Sequence, residues 1–146
     1  MLGELNKREI IDLLDGQVIG RLGCHANGET YVVPVNYVYR NQAIYAHSGI
    51  GKKIAMMREN PNVCFQVDAL VNSFKWKSVI LWGVYEELHG EERQQAMQGI
   101  IHRIMPLTNQ PSEGSSHGID PGQHGNLIVY RIRIKEATGR FESHTD

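Results

Sequence analysis

Two cysteines, Cys24 and Cys64, are all that this chain carries. One pair is no disulfide framework, and no Cys-x-x-Cys occurs, so a stapled secreted scaffold and a thiol redox motif are both excluded. Both cysteines lie in apolar, strand-like segments, which predicts buried free thiols. Long hydrophobic runs are missing as well. The longest, residues 79–85, is interrupted by Gly83 and is far too short to span a bilayer. Charge of one sign is also missing. Fifteen Lys and Arg against 16 Asp and Glu leave a formal net charge of −1, with no basic excess to grip nucleic acid. Seven histidines are present, but none is spaced as His-x-x-x-His, so no metal site is expected. The first residues carry charges where an export signal has its apolar core, and the expected location is cytoplasmic.

The composition that remains is that of a globular protein. Hydrophobic residues make up 41% of 146, enough for one domain over residues 1–146 with its own core. Asn6 followed by Glu9 resembles a capping box and predicts a helix over 6–15, ended by Gly16. A strand follows over 18–25. Asn27-Gly28 is a strong hairpin signal, the chain returns over 30–39, turns at 40–42 and runs out over 43–47, giving a three-stranded meander. A short helix after Lys53, with Ile54 and Met57 inward, is stopped by Asn60-Pro61. Strands are expected over 62–68 and 75–88, with a loop over 69–74 between them. Gly90-Glu-Glu-Arg93 opens a second helix with an apolar stripe of Met97, Ile100, Ile101, Ile104 and Met105. Residues 107–125, rich in Gly, Pro and Ser, form a long mobile loop, a strand resumes over 126–135, and the tail over 142–146 is loose. The sum is a mainly β fold, six antiparallel strands closed into a small barrel with a few helices.

The strand over 30–39 is apolar on both sides. Tyr31, Val33, Val35, Tyr37 and Tyr39 share one face; Val32, Pro34, Asn36 and Val38 share the other. One side of a barrel strand is core, so the other must meet a partner subunit or a ligand. Pro34 lacks the amide that an interior ladder needs, which places this strand at an edge or a bulge. Further on, His47-Ser-Gly-Ile-Gly-Lys-Lys53 brings a strand end, a small turn and two lysines to the start of a helix. The first amides of a helix point outward without partners, and its dipole adds positive charge there. The segment is therefore a candidate anion site, with phosphate the expected guest.

These segments in this order resemble a known family. Gly20-Arg-Leu-Gly23, Tyr31-Val-Val-Pro-Val-Asn-Tyr37, Ile44-Tyr-Ala-His-Ser48, Gly51-Lys-Lys53, Glu59-Asn-Pro-Asn-Val63 and Ser78-Val-Ile-Leu-Trp-Gly83 are similar to the FMN-binding split-barrel proteins of the pyridoxamine 5′-phosphate oxidase-like superfamily. The branch they most resemble is the nitroimidazole-resistance-type flavin reductases, whose final strand is similar to residues 131–139. The resemblance covers roughly residues 6–141 and implies a split β-barrel homodimer with FMN at the subunit interface. It implies phosphate contacts from Lys52 and Lys53, completed by Ser48 and the amides near Gly51. It places Val35, Asn36 and Tyr37 along the flavin ring, His47 at a ring- or ribityl-contacting position, and Ser78 as a polar contact from the same or the other subunit.

As a reaction, the resemblance implies electron transfer from reduced FMN to a small planar acceptor, with NAD(P)H or another protein as the electron donor. His47 is the candidate proton donor, because an imidazole suits proton transfer near neutral pH. Other readings of the same groove are a non-catalytic flavin carrier or redox sensor, or a barrel that holds deazaflavin or haem. Trp76 and Trp82 read as core or interface aromatics, with stacking on the ring as the alternative. His117 and His124 lie on the long loop, facing solvent or acting as a lid. The C-terminal residues, 139–146, hold no counterpart of the Trp- and Arg-containing segment with which the true oxidases grip their substrate. The resemblance therefore extends to fold and cofactor and not to vitamin B6 oxidation.

Overall fold

A computed structural model describes residues 1–104 and 127–144. Its first helix is capped as the sequence predicts. The Asn6 side chain accepts from the Glu9 amide at 2.9 Å, and the Glu9 carboxylate accepts from the Asn6 amide at 2.9 Å. This helix, α1 (Lys7–Gly16), follows a short strand, β1 (Leu2–Glu4), and buries Leu13 and Leu14. The Asn27-Gly28 turn takes positive φ at both residues, 52° and 79°, and joins β2 (Ile19–Ala26) to β3 (Glu29–Asn36). Asn41 and Gln42, also at positive φ, join β4 (Val38–Arg40) to β5 (Ala43–Gly49). Then come α2 (Lys52–Glu59), β6 (Asn62–Asn72), β7 (Lys75–Glu87), α3 (Gly90–Ile104) and β8 (Leu127–Ser143).

All strand pairs are antiparallel, in the order β3-β2-β6-β7-β8-β5-β4, with β1 added to β8. The described residues thus form eight strands rather than six, and the barrel is open between β3 and β4. The expected meander breaks at one residue. Tyr37 leaves the β2–β3 ladder; its amide bonds the Val18 carbonyl at 2.9 Å and its hydroxyl the Leu14 carbonyl at 2.6 Å. Its fully buried ring meets Phe65 edge to face, with centroids 5.3 Å apart. The chain pivots there, so β3 lies at one edge of the sheet and β4 at the other. Edge placement removes the problem of Pro34, as its missing amide required.

Other boundaries also move. The expected loop over 69–74 is mostly strand, because β6 runs to Asn72 and a tight turn leads into β7. The last strand runs on to Ser143, and Glu142 pairs with both Leu2 and Trp76, so residues 142 and 143 are not loose. Cys24 is buried as expected, but Cys64 is only partly buried, because it points away from the barrel interior on β6. In α3, Met97, Ile100 and Ile104 are buried and Ile101 is 38% exposed. The expected mobile loop over 107–125, with His117 and His124, lies outside the described residues, as do Met105 and the last two residues.

Two apolar clusters hold the sheet. One fills the barrel and includes Leu22, Ile54, Met57, Phe65, Leu81, Tyr130 and Ile132; the other packs α3 against Tyr45, Leu127 and Val129. Close approach of β7 to β8 depends on Gly83, next to a register shift after Trp82. A Cβ there would lie 2.5 Å from the Arg133 carbonyl oxygen. Gly83→Ala is therefore expected to cost about 1–3 kcal/mol, a fall of roughly 3–10 °C in Tm. Thermal unfolding followed by circular dichroism checks this, and an unchanged midpoint would contradict it. Among the described residues, no helix is long and apolar enough to cross a membrane.

Candidate functional site

The turn from β5 to α2 brings Ser48, Gly51, Lys52 and Lys53 together by sequence alone. α2 opens on Gly51, whose place at the cap leaves no side-chain hydrogen bond to the helix amides. A Cβ added at Gly49 or Gly51 would meet nothing within 4 Å, so the approach to those amides is open. This is the arrangement that favours an anion.

The two lysines differ in their surroundings. Lys53 is half-buried, and burial pushes its ammonium below the ordinary 10.5, while nearby Cys24 opposes that shift. Among the described residues no carboxylate pairs with it. A half-buried cation without a counter-charge is unfavourable unless an anion arrives from outside the chain. Lys52 is exposed and already occupied. Its Nζ lies 2.5 Å from Glu29 Oε2 and 5.0 Å from the centre of the Tyr31 ring. The Glu29 hydrogen bond raises the Lys52 ammonium above its ordinary value.

β3 runs from this cluster across the outer surface. Its alternation turns Tyr31, Val33 and Val35 inward and leaves Val32, Pro34 and Asn36 exposed. Val35 and Tyr37 are buried in the core, so toward a ring on the outer face they offer backbone and not side chain. Asn36 offers its amide. It lies seven residues from Glu29, about 23 Å at the strand rise of ~3.3 Å per residue.

Ser78 falls in the same transverse row as Asn36. Pro34, Arg21, Gln66 and Ile80 are paired across β3, β2, β6 and β7, and Asn36 and Ser78 each stand two residues further in the same direction. Three strand spacings separate them, about 14 Å. The Gln66 amide donates to Ser78 Oγ at 3.0 Å and to Asp68 at 2.9 Å. With its oxygen accepting from Gln66, the Ser78 hydroxyl proton is free to donate outward.

Beside this row the outer face carries exposed apolar side chains interspersed with Arg21 and Gln66. Val32 is 65% exposed, Trp82 43% and Ile80 40%. Gly23, Val32, Cys64 and Trp82 line a groove of about 530 Å³, a size suited to a small organic ligand. Trp76 lies apart, its Nε1 donating to Glu142 at 3.0 Å. His47 is half-buried on β5, on the face it shares with Tyr45 toward α3, whereas the adjacent Ser48 faces the barrel side. The Ser48 hydroxyl donates to the Gly49 carbonyl at 2.8 Å. Glu29 lies outside every motif, whereas Val32 and Trp82 fall within segments of the family resemblance, and Trp82 has stacking on the ring as its alternative reading. Among the described residues, no group of three or more His, Cys, Asp or Glu is placed to hold a metal ion.

Comparison with known proteins shows the family and the fold. The family described as pyridoxamine 5′-phosphate oxidase matches residues 6–141. An uncharacterized protein of Rhizobium meliloti is 31% identical over 132 residues, which span 84% of this chain and 83% of that one. The crystal structure of an FAD-binding protein from Mesorhizobium loti superposes with a TM-score of 0.81 at 32% identity, over 98% of this chain and 99% of the other. A Bacteroides thetaiotaomicron protein assigned to 5-nitroimidazole antibiotic resistance shares the fold, with a TM-score of 0.73 at 23% identity over 97% of this chain and 87% of its own.

Proposed function

The chain belongs to the pyridoxamine 5′-phosphate oxidase family, and from that premise we propose that it is an FMN-dependent oxidoreductase. In this reading two copies of the chain enclose the flavin between them, and the reduced flavin serves a small planar acceptor. The observation that carries the proposal is Lys53, a half-buried cation with which no carboxylate among the described residues pairs, at the open, uncapped start of α2. A terminal phosphate supplies the missing charge. The apolar outer face of β3 and the Trp82 groove suit the ring, and the related FAD-binding protein of Mesorhizobium loti supports a flavin as the guest.

When bound, the flavin supplies the electron transfer itself. The chain's residues bind, orient and exclude water. Lys53, Ser48 and the first amides of α2 hold the phosphate. Val32 and the neighbouring apolar face keep water from one side of the ring. Asn36 and the free Ser78 hydroxyl proton meet the ring's polar edge. Because about 14 Å separates them across the sheet, the two are assigned to different subunits at one ring. His47 faces α3, on the other side of β5 from Ser48, and no proton transfer is assigned to it.

The test begins with the purified protein, which is expected to be yellow and to release FMN on extraction. Release of FAD instead would move the cofactor to the dinucleotide. Colourless protein that takes up no added flavin would remove the proposal. Activity is tested separately, by reoxidation of the reduced, bound flavin with a nitroaromatic acceptor. A rate no faster than that of free FMN would make the protein a carrier or sensor.

A further inference from the structure

Glu29 opens β3 directly after the Asn27-Gly28 turn, so the hairpin itself brings its carboxylate to the start of α2. The other end of the helix is held to the same hairpin, where Asn60 Nδ2 donates to the His25 carbonyl at 2.8 Å. The Lys52 ammonium is therefore met by an anion that belongs to the chain. Lys53, one residue on, has none among the described residues. The Lys52–Glu29 pair is half exposed, 50% and 54% at the two side chains. Such a pair is weak and can be displaced.

We infer that Glu29 competes with the incoming phosphate for Lys52 and so sets how tightly the cofactor is held. The inference rests on the reading of the α2 start as the phosphate site. Lys53 supplies a charge that is ready before binding. Lys52 supplies a second charge only when it leaves Glu29, and the carboxylate left behind still repels the phosphate. The net gain from Lys52 is thus smaller than that from Lys53, although the two lysines are adjacent and chemically identical.

Riboflavin separates this from a structural role, because it has the ring of FMN and no phosphate. Flavin-free protein is titrated with each flavin, and binding is followed by quenching of flavin fluorescence. Glu29→Gln is expected to tighten FMN about 2- to 5-fold and to leave riboflavin unchanged. Adding Lys52→Ala to that variant is expected to abolish the gain. FMN binding that stays the same or weakens in Glu29→Gln would overturn the inference. So would an equal change for FMN and riboflavin, which would show that Glu29 acts through the fold. If the unaltered protein binds FMN and riboflavin equally well, the phosphate site itself fails. If it prefers FMN and Glu29→Gln leaves that preference as it was, only the competition fails.

Discussion

Lys53→Met is expected to weaken FMN binding by about 10- to 150-fold, the loss of one hydrogen bond to a charged group at ~1.5–3 kcal/mol. The flavin-free variant should be at least as stable as the unaltered protein. The reason is the environment of the ammonium. It is half-buried, burial holds its pKa below 10.5, and no carboxylate among the described residues offsets the burial. Methionine keeps the apolar stem and removes the charge.

The sign of the pH dependence follows from the same shift. A folded-state pKa below the unfolded value means that the unfolded chain binds the proton more tightly. Lys53 therefore weakens the flavin-free fold at neutral pH, and this penalty is relieved as pH rises from the lowered value toward 10.5. Bound phosphate removes the penalty by supplying the counter-charge. Thermal midpoints of the two proteins, with and without FMN from neutral pH upward, test both halves. Loss of stability in the flavin-free variant with unchanged FMN affinity would make Lys53 a structural residue.

Val32→Glu is expected to have an equally large effect, on assembly. Val32 stands on the outer face of an edge strand, 65% exposed, in the same transverse row as the exposed Trp82. In the proposed dimer this face meets its copy, and two carboxylates brought against each other across it would prevent association. The unaltered protein is expected to run at twice 16.5 kDa and the variant at 16.5 kDa, with flavin lost together with the dimer. Because Val32 is exposed in the single chain, its replacement should alter folding stability by only about 0.5 kcal/mol. Size-exclusion chromatography with light scattering reads the mass, and the flavin spectrum reads the cofactor. An unaltered protein that is monomeric and still holds FMN would contradict the interface site.

What was legible in the sequence is what neighbouring residues decide. Asn6 and Glu9 specify a helix start because each satisfies the other's backbone amide, a matter of three residues. Asn27-Gly28 specifies a hairpin because both residues tolerate positive φ. Pro34 announced an edge strand through the amide it lacks. Gly51-Lys52-Lys53 announced a charged helix start, since amides, dipole and lysines are all contiguous. The two-faced apolar pattern of residues 31–39 predicted a cover beyond the core on one side, and the structure leaves Val32 and Asn36 exposed there.

The rest depended on residues far apart in the chain. The break at Tyr37 needs the Val18 and Leu14 carbonyls and the Phe65 ring, none of which the local pattern contains. β8 runs on to Ser143 because β7 and β1 flank it, although its own sequence beyond Lys135 is polar. Asn36 and Ser78 share a row only through the registers of β2 and β6 between them.

The sequence by itself determined the local pieces, a charged helix start and an edge strand with two apolar faces, because capping, turn chemistry and side-chain alternation act within a few residues. Only the tertiary structure decided that the two adjacent lysines have different surroundings. Glu29 reaches Lys52 through a hairpin, and Lys53 is half-buried beside Cys24 with no counter-charge among the described residues; both are consequences of packing between segments more than twenty residues apart.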